Sequence, residues 1–239
     1  MCGRYSITTA PEAMRRLFAV SDMINLEPRY NMAPMQSAPV IRERDGVRHM
    51  DMLRWGLVPS WAPDESRAAS LINARSETVA EKPAFRDAYQ KRRCLVPADG
   101  FYEWRKLGRE KQPYRVSLEG NRPFAFAGLW ECWNKGAEPV ETFTLLTTDA
   151  DSRIAHIHHR MPVMLAEAAA FSAWLDGDVS ERVSVLKAYD GEDLVFTPVS
   201  SRVGNVRNDD AALLQPVEEL EEPAEPATEM SAPRQGSLF

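Results

Sequence analysis

The chain is poor in the features that announce common chemistries. Its 239 residues hold three cysteines, Cys2, Cys94 and Cys132, odd in number and far apart. No C-x-x-C pair occurs, so neither a zinc site nor a disulfide framework is indicated. No Gly-rich phosphate loop is present among its 12 glycines. G-x-S-x-G and H-E-x-x-H are missing too, which excludes the sequence signatures of P-loop, α/β-hydrolase and zincin chemistry. No apolar run approaches the roughly 18 residues of a membrane span. The opening "MCGRYSITTAPEAMRR" has no apolar h-region of a secretory signal. The expectation is a cytoplasmic protein with free thiols and with no metal or organic cofactor. Cys94 and Cys132, flanked by apolar residues, read as small core cysteines.

What is there is ordinary in bulk and uneven in distribution. Hydrophobic content of 44% and charged content of 27% suit a soluble globular chain with a sizeable core. The net charge of −6 argues against nucleic acid, but from Glu218 onward six Glu face one Arg. That stretch contributes −5 and leaves −1 for the rest, whose arginines can cluster locally. Composition therefore divides the chain into a folded unit, 1–217, and a Pro-, Ala- and Glu-rich tail, 218–239, expected to be disordered.

Within 1–217 the pattern predicts an α+β fold: a single domain built on a mainly antiparallel, barrel-like sheet with flanking helices. "TAPEAMRRLF" predicts a helix, with Thr9 and Glu12 at capping-box spacing and Met14, Leu17 and Phe18 as its apolar face. "EKPAFRDAYQKRR" predicts another, with Ala84, Phe85, Ala88 and Tyr89 inward, and "AEAAAFSAWL" a third. "RYNMAPMQSAPVIRE" reads as a proline-punctuated loop leading into a strand, and "MLRWGLVPSW" as strand then turn. "CLVPADGFYEW", "PYRVSLE", "PFAFAGLWE", "ETFTLLTT" and "LVFTPVS" read as β-runs. No βαβ alternation is visible.

Four polar stretches stand out: "MCGRY", "INARSET", "GFYEW" and "IAHIHHRMP". Trimming of the initiator methionine would leave Cys2 first, with an α-amine and a thiol on one residue. That pair suits an aldehyde. The amine, with a reference pKa of about 7.7–8.0, forms a Schiff base, and the thiol closes a five-membered thiazolidine intramolecularly.

These stretches resemble the SRAP family, the abasic-site-processing proteins first named as SOS-response-associated peptidases. "YNMAP", "RWGLVPSWA", "NARSET", "CLVPADGFYEW", "LTTDA", "IHHRMPV" and "VGNVRNDD" carry the resemblance in the family's order and spacing. It implies self-linkage to abasic sites in single-stranded DNA, with Cys2 as nucleophile, Asn73 and Glu103 as partners and His158 as acid/base. The family pattern I-H-x-R-M-P selects His158 over His159. A secondary lyase activity through the imine is part of the expectation. The alternative is a cysteine-type peptidase or amidohydrolase using Cys2 with His158 as base.

Arg4, Arg75 and Arg160 each lie two residues from one of these four, suited to forking onto phosphates. The competing reading for the arginines is internal pairing with Glu77, Asp149 or Asp151. Trp104, beside Glu103, could stack on an unpaired base. Lys82, Arg86, Lys91, Arg92 and Arg93 could extend a basic track, or form an ordinary solvated face. The terminal "QGSLF" fits the short pattern by which bacterial proteins dock on the replicative sliding clamp, through Gln235, Leu238 and Phe239. The expected protein is a monomer at the nucleoid, without membrane contact.

Overall fold

A computed structural model describes residues 2–21 and 25–220. Gln235, Leu238 and Phe239 lie outside the described residues. The first half runs β1 (Tyr5–Ile7), α1 (Pro11–Phe18), β2 (Arg29–Met32), β3 (Ser37–Arg44), β4 (Val47–Trp55), β5 (Asn73–Arg75), α2 (Arg86–Lys91), β6 (Arg93–Ala98), β7 (Gly100–Leu107) and β8 (Glu110–Leu118). There follow β9 (Phe124–Trp133), β10 (Val140–Asp149), β11 (Arg160–Pro162), β12 (Met164–Leu165), α3 (Ala168–Leu175), α4 (Val179–Ser184) and β13 (Leu194–Pro198).

The strands form two sheets. One is antiparallel throughout, in the order β13-β8-β7-β1-β2. The other runs β11-β10-β4-β3-β6-β9-β12, with β5 added beside β10 and a further pairing of β9 with β10. That last pairing makes a closed ring of β10, β4, β3, β6 and β9, which is the barrel that the alternating runs predict. Among the described residues the pairings of β10 with β4 and with β5 are the parallel strand pairs, beside a single parallel bridge of Val20 with Arg48. Phe124, Phe126, Phe143, Leu145, Val96 and Trp55 fill the interior, all buried. Gly128 sits where a Cβ would come within 2.9 Å of Cys94 Sγ and Val96 Cγ2, so the close approach requires glycine.

The run "CLVPADGFYEW" is not one strand. It breaks at Asp99, so that β6 stays in the ring and β7 enters the other sheet. Asp99 is 1% exposed. Its carboxylate accepts from Ser6 Oγ at 2.7 Å, Thr8 Oγ1 at 2.8 Å and Thr9 N at 3.0 Å, and pairs with Arg115 NH2 at 3.2 Å. Gly100 lets that guanidinium in, since a Cβ there would lie 2.6 Å from Arg115 Nε.

This hub also explains why the capping box at Thr9 and Glu12 does not form. Thr9 is spent on Asp99, the N-cap of α1 is Ala10, and Glu12 pairs with Arg15 and Arg16 at 3.0 Å each. The inward face of α1 is as read, with Met14 and Phe18 buried and Leu17 packed against the core. α2 is shorter than its pattern because Arg92 and Arg93 are drawn into the body. Arg93 donates to the Tyr89, Gln90, Trp174 and Leu175 carbonyls, and Arg92 pairs with Glu131. Cys94 is buried, whereas Cys132 is half-buried, because near the end of β9 the sheet no longer has cover on both faces.

"RYNM", read as loop, is β2. Its Asn31 is fully buried and donates from Nδ2 to the carbonyls of Val203, Asn205 and Asn208. Asp209 answers by accepting from the Tyr30 and Asn31 N–H groups at 2.6 and 3.0 Å. These side-chain bonds lock "VGNVRNDD" against "RYNM" across 170 residues of chain, a partner that no local pattern could reveal.

Replacing Asp99 by Ala leaves Arg115 buried without its carboxylate and takes the acceptor from five donors on Ser6, Thr8 and Thr9. The expected cost is about 3–5 kcal/mol, read as a lowered urea midpoint at unchanged slope.

Candidate functional site

The hub fixes β1, and β1 fixes Cys2. Tyr5 pairs with Phe101 and Ser6 with Gly100, which lays the N-terminal segment along β7. Cys2 is fully buried, its Sγ–H directed at the Arg4 carbonyl at 3.8 Å. Burial pushes its thiol far above the ordinary range. The negative charge of Glu103 adds to this, while the chain's α-ammonium opposes it. At neutral pH this is a protonated thiol.

Asn73 opens β5, a three-residue strand held parallel to β10 by the pairing of Asn73 with Leu145. Its Nδ2 donates to the Cys2 carbonyl at 2.8 Å. Its Oδ1 is buried and has no hydrogen-bond partner among the described residues, an acceptor left unused. Glu103 lies in mid-β7, 3% exposed. Burial raises its carboxyl above the ordinary 4.5, with the α-ammonium and His159 pulling the other way.

His158 sits on the turn before β11. Its Nδ1 lies 3.0 Å from both the N–H and the C=O of Arg160. The neutral ring accepts from that N–H, and the imidazolium donates to that C=O, so one backbone residue serves both protonation states. Proton exchange with a substrate then falls to Nε2. Burial lowers the His158 pKa, as does the α-ammonium, which keeps the ring a base at neutral pH. His159 stacks on it at 4.5 Å. Sequence pattern assigns His159 no part, yet its charge acts on Glu103.

The four residues read as a constellation thus form one neighbourhood, built from both sheets: Cys2 and Glu103 from one, Asn73 and His158 from the other. The four expected DNA contacts do not behave alike. Arg75 is exposed on β5, and its guanidinium makes no hydrogen bond among the described residues, although its carbonyl accepts from Thr78 N–H at 3.2 Å. Arg160 is 5% exposed and forks onto Glu77 at 2.7 and 3.0 Å, with Asp149 at 2.7 Å. It ties the turn after β5 to β11, and so holds Asn73 and His158 in one frame. Asp151 pairs with Arg153 instead. Arg4 donates to Asn31 Oδ1 at 3.1 Å and to the Val203 and Gly204 carbonyls at 2.7 and 3.2 Å. Trp104 is on the face of β7 opposite Glu103, half-buried against Tyr102, Val199, Val203 and Leu213. Strand alternation makes that unavoidable. Among the described residues no group of three or more His, Cys, Asp or Glu could hold a metal ion. No helix among them is long and apolar enough to cross a membrane.

Fold and site together define a single-domain α+β barrel protein with an N-terminal thiol set beside a buried acid, a clamping amide and an imidazole. Comparison with known proteins narrows this. The profile of the SOS response associated peptidase (SRAP) family matches residues 1–206, and the chain belongs to that family. It is 37% identical over 223 residues to the abasic site processing protein YoqW of Bacillus subtilis, covering 90% of this chain and 99% of the relative. It is 34% identical to the abasic site processing protein HMCES of Gallus gallus, covering 91% and 78%. A crystal structure of a Bacteroides thetaiotaomicron protein, 28% identical, superposes with a TM-score of 0.80 over 91% of this chain and all of that one.

The buried acid sets a pH-dependent cost. Because burial raises the folded-state pKa of Glu103, the native state binds its proton more tightly than the unfolded chain does, and stability falls as pH rises through the folded-state value. Glu103→Gln removes the charge but keeps the shape. Its urea midpoint should match the parent below the ordinary carboxyl range and exceed it increasingly toward pH 8.

Proposed function

We propose that this chain processes abasic sites in DNA, capturing them in single strands as a covalent crosslink through Cys2 once the initiator methionine is removed. The observation that supports it most is the hydrogen bond from Asn73 to the Cys2 carbonyl. It holds the backbone of residue 2, not merely its side chain, and so orients α-amine and thiol together. An attack by thiolate alone has no need of that clamp.

The abasic sugar exists mostly as a closed hemiacetal. His158, kept neutral by burial, moves the proton that opens it to the aldehyde. The Cys2 amine adds to the carbonyl carbon, Glu103 relays its proton, and water leaves as the imine forms. The thiol then adds across the C=N bond, its proton passing to nitrogen, and closes the thiazolidine. The balance is protein plus DNA less one water. A protonated thiol suits this second step, whereas a cysteine peptidase needs thiolate at the outset. Asn73 Oδ1, buried and without a partner among the described residues, would accept from a sugar hydroxyl. Elimination from the imine before ring closure would give a secondary lyase activity. Arg75 is the guanidinium open to a phosphate, while Arg4 and Arg160 act by holding the frame. Single strands follow from the need to reach the sugar unpaired. The protein would act as a monomer in the cytoplasm, at the nucleoid.

Mixing the protein with a single-stranded oligonucleotide carrying one abasic site should give a denaturation-resistant species at the summed mass less one water. Cys2→Ala or Nα-acetylation of Cys2 should abolish it, and His158→Ala should slow it about 100-fold. An adduct surviving acetylation would favour the peptidase-like reading. We further infer that Gln235, Leu238 and Phe239 recruit the chain to the sliding clamp. Deleting 235–239 should remove clamp binding in a pull-down and leave crosslinking intact.

A further inference from the structure

The acidic tail begins with residues that are held by the body. Oε1 of Glu219 accepts from Arg105 NH1 at 2.9 Å and from the Tyr114 hydroxyl. The next residue, Leu220, donates its N–H to Gln112 Oε1 at 3.3 Å. Val217 donates to the Pro198 carbonyl at 2.9 Å, so this stretch lies beside the end of β13.

The location makes the contact informative. Tyr114 on β8 is the direct cross-strand partner of Glu103, and Arg105 follows Glu103 by two residues on β7. Alternation puts all three on one face of the sheet. The Tyr114 ring also meets the ring of His156 at 6.5 Å, and His156 precedes His158 by two residues on the same turn. A guanidinium and a phenolic hydroxyl therefore converge on one anionic oxygen, between the buried acid and the histidine turn. Guanidinium plus hydroxyl is also the donor set that recognises a nucleic-acid phosphate. The oxygen filling it belongs to a segment with six Glu and one Arg, the charge pattern of a polyanion.

We propose that Arg105 and Tyr114 form a phosphodiester subsite of the single strand, occupied by Glu219 in the DNA-free protein, so that strand and acidic tail compete for it. The proposal rests on the DNA-capture reading for the identity of the competing anion. The exchange is physically easy. Arg105 and Glu219 keep 24% and 45% of their side-chain surface exposed, and ion pairs that open are held weakly. A strand brings several phosphates and releases counterions as it binds, which one carboxylate cannot match. The tail then screens out brief contacts with intact strands, while a strand lying along β7 past Cys2 displaces it.

The test is anisotropy of a labelled single-stranded oligonucleotide without an abasic site, titrated at several salt concentrations with the full chain and its variants. Glu219→Gln should tighten binding severalfold. Arg105→Ala should weaken it severalfold and reduce the slope of log affinity against log salt by about 0.7, the loss of one phosphate contact on a single strand. In the Arg105→Ala background, Glu219→Gln should tighten binding much less, because only the Tyr114 hydroxyl remains to be contested. Tyr114→Phe, which keeps the buried ring, should weaken binding with the slope kept, and it serves as the test should Arg105→Ala fail to fold. The proposal is overturned by an unchanged affinity in Glu219→Gln, or by equal tightening with and without Arg105, the mark of a general charge effect. Adducts at abasic oligonucleotides without the Glu219–Arg105 coupling would overturn this proposal alone. Loss of both binding and adduct in every protein, the parent included, would overturn it together with the DNA-capture reading.

Discussion

One buried carboxylate sets the position of everything at the site. Asp99 sits where the chain leaves the barrel ring and enters the second sheet, and it gathers Ser6, Thr8, Thr9 and Arg115. Three of those are in the first nine residues. A short N-terminal strand pairs over only three residues and would fray on its own, since termini are ordered only where something ties them down. Asp99 supplies that tie inside the core, where a hydrogen bond cannot be traded for one with water. A residue at position 2 can therefore be as fixed as one in mid-strand, and Cys2 is fully buried.

The site is then a seam. Cys2 and Glu103 ride on the antiparallel sheet, and Asn73 and His158 on the ring and its extension. The Asn73 bond to the Cys2 carbonyl crosses from one to the other. Arg160 stiffens the second side by joining the turn after β5, the end of β10 and β11. Bringing an acid, a thiol and an imidazole together in a poorly solvated seam runs against stability, and the shifts show it. Carboxyl and thiol are pushed up and imidazole is pushed down, each first by burial. All three directions favour the neutral form, the state in which proton transfers among them cost least.

Much of this was legible in the sequence, and the remainder was hidden for definable reasons. The period-2 runs of β8, β9 and β10 and the inward faces of α1 and α2 depend on local burial, which residue order records directly. The four-residue constellation was visible as polar blocks interrupting apolar ones. Strands β2 and β5 were not, because their form comes from distant partners: Asn31 and Asp209 for one, β10 for the other. Proximity in sequence also misled. Trp104 adjoins Glu103 and therefore faces away from it, while Arg4 and Arg160, two residues from reactive groups, spend their donors inside the fold. In a strand-built site, i and i+2 share a face, so Arg105 is the neighbour that "GFYEW" followed by Arg offered.

That same alternation links the tail to the chemistry. The face of β7 that presents Glu103 continues through Arg105, and the face of β8 opposite presents Tyr114. Any segment that settles against those two residues lies beside the reactive seam, whether it is protein or nucleic acid. The body of the chain is close to neutral and the residues from 218 on carry most of its net negative charge. A nearly neutral surface cannot repel its own acidic tail. On the proposed reading, the tail, tethered and so at high local concentration, fills the anion-binding patch beside Cys2 unless a free strand outbids it. On the proposed capture reading such competition confers selectivity, because only a strand that stays long enough to displace the tail would reach Cys2.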